Sequence, residues 1–215
     1  ENNHMISVQQ RPKLYESFGM NYAAKMIRSY IKKLEINIDA YDLYSCFPAA
    51  VRMFKDSLEI EDGKPLTVTG SMPFAGGPLN SYVLHSSVEM IKKIRANKIS
   101  YGLVTGVSGM MTKQSFCVWG KKYKEGFMHS DVTKKVISKE LPLNLSSKLQ
   151  GDGKIIGYTF FENNNQNMIA VLYLEDEDCH RKVVTSNKLE FINVLKDEEW
   201  VGKRIKYQRN QVVSW

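Results

Sequence analysis

Between Glu16 and Trp119 the spacing of apolar residues switches repeatedly from helical to strand-like, and that alternation limits the fold more than any other feature of the chain. In residues 16–34, Phe18, Tyr22, Met26, Ile27, Tyr30, Ile31 and Leu34 recur at helical spacing with basic residues opposite, which predicts an amphipathic helix laid on a core. Asn37-Ile38-Asp39 breaks it. Residues 41–46 read as a short strand, apolar enough to be buried on both faces. Pro48 suits the first turn of a second helix, 49–58, with Val51, Phe54 and Leu58 on one face. After a turn at 62–65 come a β-rich stretch at 66–69 and a glycine-rich loop at 70–78. A third helix is predicted over 81–96, with Val83, Leu84, Val88, Ile91 and Ile94 inward, followed by strands at 101–107 and 115–119. Strand, helix and strand in short succession predict an α/β sheet covered by helices.

Composition shifts after Gly120. Residues 121–150 are mixed and polar and carry Pro142, as a linker with a short helix would. From Gly151 the pattern is β, with strands expected at 154–161, 168–174, 182–185 and 204–209, a hairpin tip at 163–167 and a turn at 176–178. This predicts a small all-β module, a curled sheet or barrel. The expected organisation is therefore residues 1–10 disordered or tag-like, 11–125 an α/β domain, 126–150 a linker and 151–215 a β-barrel-like domain.

Three cysteines, Cys46, Cys117 and Cys179, are odd in number and widely spaced, so neither a disulfide framework nor a zinc site is expected. No apolar run approaches the roughly 18 residues needed to span a bilayer. A soluble protein of the cytoplasm, without membrane association, is the expectation. Net charge is +7, but the lysines are spread along helix faces among acidic residues, so nucleic acid is not an expected partner. One denser patch, Lys121-Lys122-Tyr123-Lys124 with Lys134-Lys135, stays in play.

Several strings, taken in order, resemble the thiolase superfamily: Asp42-Leu43-Tyr44-Ser45-Cys46-Phe47-Pro48, Thr67-Val68-Thr69-Gly70, Phe74-Ala75-Gly76-Gly77-Pro78-Leu79-Asn80-Ser81-Tyr82 and Tyr101-Gly102-Leu103-Val104-Thr105. They look like the C-terminal part of thiolase-like acetyl-CoA acetyltransferases, in a subgroup bearing an additional C-terminal β domain, whose pattern Gly157-Tyr158-Thr159 and Val201-Gly202-Lys203-Arg204 fit. The resemblance implies an α/β fold: a partial thiolase-fold half, with a layered sheet and covering helices, plus the β module. It also implies a coenzyme A thioester as substrate, no covalently bound cofactor, and an N-terminal thiolase half, on a separate chain or fragment, carrying the nucleophilic cysteine. Assembly as a homo-oligomer is left open.

Claisen chemistry needs a base for an α-proton, a thiolate nucleophile and donors for a thioester oxyanion. Three loops supply these in thiolases. On the first, an Asn-Glu-Ala-Phe-like motif, the resemblance puts Tyr44, Ser45, Cys46 and Phe47, with Tyr44 for the asparagine. On the second, Gly-His-Pro, it puts Gly76, Gly77 and Pro78, with Gly77 for the histidine. On the third, Thr105 is the best match to the proton-shuttling cysteine, or Gly106 if the loop is shifted. Glycine cannot accept a proton and a threonine hydroxyl is a very weak base.

His85 could serve as a substitute base, or be a hydrogen-bonded structural histidine held by its helix; the second is favoured because catalysis needs reach to substrate. Cys46 and Cys117 read as buried, inert thiols. The glycine loop lacks the spacing of a phosphate cradle and fits better as the lining of an acyl pocket. Asp176, Glu177, Asp178 and His180 read as a solvated acidic turn, and no metal is assigned. Trp200 and Trp215 read as packing anchors. The leading expectation is thus a portion of a thiolase-type acyltransferase. The alternative is a catalytically degenerate thiolase-fold protein that binds acyl-CoA or scaffolds a partner enzyme.

Overall fold

Ser17 accepts the N–H of Met20 at 3.2 Å and so caps the first long helix at the point where helical spacing begins. The computed structural model describes residues 1–122 and 126–215. They form two compact units: Glu1–Met5 with Tyr15–Glu140, and Ile6–Leu14 with Leu141–Trp215.

The first unit has a four-stranded sheet of β1 (Asn2–Asn3), β2 (Ala40–Asp42), β3 (Tyr101–Ser108) and β4 (Met110–Gly120), in the order β1-β4-β3-β2. Strands β2 and β3 run parallel, with Asp42 beside Val104. Strands β3 and β4 form a hairpin, and β1 lies antiparallel on β4 with Asn2 beside Gln114. Five helices accompany them: α1 (Phe18–Lys33), α2 (Pro48–Leu58), α3 (Met72–Ala75), α4 (Tyr82–Arg95) and α5 (Thr133–Ile137).

Successive side chains of β3 point to opposite faces, so one strand serves two cores. Leu103 packs with Met20, Ala24, Phe54 and Leu58 from α1 and α2. Val104 packs with Met90 and Ile94 from α4. Gly102 is what lets α4 lie so close, because a Cβ there would run into the Met90 side chain.

The structure departs from the sequence expectations in several places. Residues 1–10 are not tag-like: Asn2, His4 and Ile6 are buried. A polar opening string can do this because β4 satisfies its amides; Asn2 Nδ2 donates to the Thr112 carbonyl (3.1 Å) and Gln114 Oε1 (2.9 Å). Residues 66–69 are not a ladder strand. Helix α4 is rotated from the expected stripe, burying Tyr82, Ser86, Met90 and Ile94 and leaving Leu84 65% and Val88 49% exposed. Residues 126–140 are no linker, since Val132 and Val136 join the core under α1. The basic patch at Lys121–Lys124 and the boundary at Glu125 fall partly on residues 123–125, outside the described residues.

The second unit is a closed barrel ordered β5-β6-β7-β9-β8, from β5 (Gln150–Glu162), β6 (Met168–Glu175), β7 (Arg181–Ser186), β8 (Arg204–Gln208) and β9 (Gln211–Ser214). Strand β5 pairs at its start with β8 and from Lys154 onward with β6, and the β5–β6 register shifts just beyond, between Ile155 and Gly157. Helix α6 (Leu189–Asp197) buries Phe191, Ile192 and Leu195 among Ile155, Leu172 and Val184. Trp200 and Trp215 flank Phe191 at ring-centroid distances of 5.6 and 4.7 Å. Residues 6–14 belong to this unit too. Arg181, itself buried, donates from Nη2 to the Pro12 carbonyl (3.1 Å) and pairs with Glu175 (3.0 Å).

Candidate functional site

Asp42 is wholly buried at the end of β2, the carboxyl end of the parallel β2–β3 pair, where loops and not the sheet set the surroundings. Its Oδ2 accepts from Thr67 Oγ1 (3.0 Å), Val68 N (2.9 Å), Thr69 N (3.0 Å) and Thr69 Oγ1 (2.9 Å). Its Oδ1 accepts from Ser86 Oγ (2.7 Å) and Tyr82 OH (3.3 Å). A buried carboxylate must have its lone pairs filled. Here that requirement folds residues 67–69 into a turn and rotates α4 so that Tyr82 and Ser86 face inward.

Two further bonds tie the loop after β2 to its surroundings. Tyr44 N donates to Thr105 Oγ1 at 2.9 Å, and Met72 N donates to Ser45 Oγ at 2.9 Å. Ser45 Oγ also reaches Tyr82 OH at 3.3 Å, and the Tyr44 and Tyr82 rings meet edge to face at 5.6 Å. Tyr44, Ser45, Thr105 and the 67–72 turn therefore make one small mouth. Gly77 follows α3, and a Cβ placed on it would lie 3.3 Å from Met72 Sδ. Gly76, Gly77 and Pro78 are exposed in that loop, and Phe47 is exposed on the loop leading into α2.

Other expected site residues sit differently. Thr105 is not on a loop: it is buried within β3, opposite Phe116 of β4, with its hydroxyl engaged as an acceptor. Gly106 is buried on the other face of β3, against Val83 of α4. His85 is exposed, on the flank of α4 away from the buried Tyr82–Ser86–Met90 stripe. Helix placement does not bury it, because the Asp42 network has turned the helix.

Two groups at the mouth, the Cys46 thiol and the Tyr44 phenol, are shifted toward their protonated forms. Burial pushes the Cys46 thiol above its ordinary value, against smaller opposing backbone hydrogen bonds. Burial also raises Tyr44, with the nearby Cys46 and Tyr82 adding to the shift. The glycine loop has spent its donors on the protein: Gly70 N and Ser71 N both go to Thr67 Oγ1, at 3.0 and 3.1 Å. That is why it makes no phosphate cradle.

Sequence reasoning passed over Asp42, Thr67, Thr69, Tyr82 and Ser86. The available signal was an aspartate set into an otherwise apolar strand, with tyrosine and serine four residues apart on a helix.

Two other places have ligand-like features. Asp176, Asp178 and His180 bring ligand atoms within 4.8 Å of one another, and Lys148 Nζ lies 3.3 and 3.0 Å from the two carboxylates, supplying the opposing charge. Between α1 and β4 lies an apolar cavity of about 570 Å³, walled by Met26, Ile31, Leu34 and Phe116. Cys117 opens onto it, and the apolar walls raise its thiol pKa. No helix among the described residues is long and apolar enough to cross a membrane.

No known family's sequence pattern matches the chain, and no curated protein does. Solved structures do. The crystal structure of a monomeric SCP2-thiolase-like protein type 1 from Mycobacterium smegmatis aligns with 99% of this chain at a TM-score of 0.85 and 20% identity. This chain spans 49% of that one. The expectation of a separate N-terminal thiolase half as partner is corrected here. The similar protein is a monomer whose single chain includes the matched region, and in this chain each unit packs a core of its own. The chain has a mixed α/β, SCP2-thiolase-like fold with a small β barrel.

Proposed function

We propose that the chain is a catalytically degenerate thiolase-fold protein that binds an acyl-CoA thioester without turning it over. The observation that carries this is the Tyr44–Thr105 hydrogen bond: where the resemblance implies a proton-shuttling thiol, a buried hydroxyl is committed to a backbone N–H. Gly77 offers no imidazole, and Cys46, a protonated thiol beside the mouth, is a poor nucleophile. Binding still has support. Phe47, Phe74 and Leu79 are exposed on the loops that Ser45 and Met72 join, an apolar collar suited to the pantetheine arm and acyl group.

The test is isothermal titration of the whole protein with acetyl-CoA, longer acyl-CoAs and free CoA, beside a thiol-release assay. Saturable acyl-CoA binding with no thioester loss above the buffer rate is expected. Turnover would restore the acetyl-CoA acetyltransferase activity that the sequence resemblance implies, and absence of binding would remove the reading.

A further inference from the structure

The Asp42 carboxylate bonds directly to the 67–69 turn and to α4, and it reaches Ser45 at one remove, through the Tyr82 hydroxyl. Through Oδ2 it holds the 67–69 turn, which leads directly into Met72; through Oδ1 it holds Tyr82, whose hydroxyl also accepts from Ser45. Thr69 Oγ1 and Tyr82 OH lie 3.0 Å apart, so the two halves of the network touch. A carboxylate accepts and never donates when ionised, so neutral donors converging on it are all turned the same way and fixed in direction. Displacing them strips bonds from a wholly buried carboxylate, which makes the arrangement a rigid one.

We propose that Asp42 is the positioning residue of the mouth: it sets Tyr82 and the 67–71 turn so that Tyr44, Ser45 and Met72 receive the thioester end of an acyl-CoA. This rests on the acyl-CoA reading above. Asp42 touches no ligand itself. It acts through the Tyr82 hydroxyl and ring and through the backbone of the turn.

The experiment is titration of acyl-CoA into wild type, Asp42→Asn, Tyr82→Phe and the double variant, each at a temperature where circular dichroism shows it fully folded. Tyrosine labelled with carbon-13 in the ring reports the Tyr82 environment, its signal identified by its loss in Tyr82→Phe. Asp42→Asn is expected to weaken binding at least tenfold and to shift the Tyr82 signal. In the Tyr82→Phe background the same change should cost clearly less than it does in wild type, because part of its effect runs through Tyr82. Ile94→Ala, a core change at the opposite end of α4 from Tyr82, gives a comparison of lowered stability and should leave affinity unaltered. A merely structural Asp42 would give additive losses that track stability.

Wild-type binding with Asp42→Asn within threefold of it overturns this inference and leaves the functional reading standing. Absence of wild-type binding overturns both. If Asp42→Asn does not fold, Thr69→Val and Tyr82→Phe take its place: a fivefold loss in either supports the inference, and unchanged affinity in both overturns it.

Discussion

Tyr44 gives its backbone N–H to the Thr105 hydroxyl at 2.9 Å, tying the loop that leaves β2 to the middle of β3. The bond spans 61 residues of sequence and lies where Thr105 is buried, so water cannot replace it. A threonine used this way is a structural acceptor, and its role at the mouth is to fix Tyr44.

Thr105→Val keeps the shape and removes the acceptor. The Tyr44 N–H is then left without its partner, which costs about 1–3 kcal/mol. Urea unfolding should show that loss, while Thr105→Ser stays close to wild type. Any thioester turnover should be the same in both variants.

Gly102→Ala puts a methyl where the Met90 side chain already lies. Overpacking of this kind costs about 1–3 kcal/mol. The unfolding midpoint of Gly102→Ala should fall, and adding Met90→Ala should recover part of it. Strictly additive losses would show that α4 does not approach β3 as described.

Cys46 and Cys117 are both held above the ordinary thiol value by burial. Cys46 is half-buried, while Cys117, like Cys179, is exposed and not the buried thiol expected. At pH 7.5 Cys46 should react with a thiol reagent more slowly than Cys179, and the rates of Cys46 and Cys117 should still be climbing above about 8.5, the free-thiol value. The linked stability has a definite sign. A raised folded-state pKa means the unfolded chain ionises first, so the contribution is full below the ordinary value and is lost as pH rises through the folded one. Faster labelling of Cys46 than of Cys179 would contradict the shift.

Arg181 is buried in the barrel unit, paired with Glu175 and bonded to the Pro12 carbonyl. Arg181→Met leaves Glu175 with the longer Lys154 contact (3.6 Å) in place of its buried partner and releases the 6–14 segment. A loss of about 3 kcal/mol is expected, at the lower end for a broken buried pair. Trp200 and Trp215 fluorescence in denaturant should report it, and protease cutting within residues 6–14 should speed up in parallel.

Much of the framework was readable because burial leaves a periodic trace. The helical recurrence of Tyr22, Met26, Ile27 and Ile31 marks α1, although its most buried residues are Met20, Ala23 and Ala24, and the run at 168–174 marks β6, which turns Ala170, Leu172 and Leu174 inward. What escaped is what tertiary structure decides. Strand β1 is two polar residues, and only the amides of Asn2 meeting β4 make it a strand. The stripe of α4 looked aliphatic, with Leu84 and Val88 inward, until the hydroxyls of Tyr82 and Ser86 had to reach Asp42. The resemblance put Thr105 on a loop although the strand expected over 101–107 contains it, and β3 indeed runs through it to Ser108. Strand β9 has only four residues, too few to give a period of its own.

The bond from Arg181 to Pro12 joins positions 169 residues apart. Residues 6–14 therefore have no seat until the barrel strands, which follow them far along the sequence, have been synthesised. Until then residues 6–14 stay open to chaperones and proteases, and loop closure over that distance delays their docking. The maturity of the molecule could thus be timed by the moment this early stretch becomes protected.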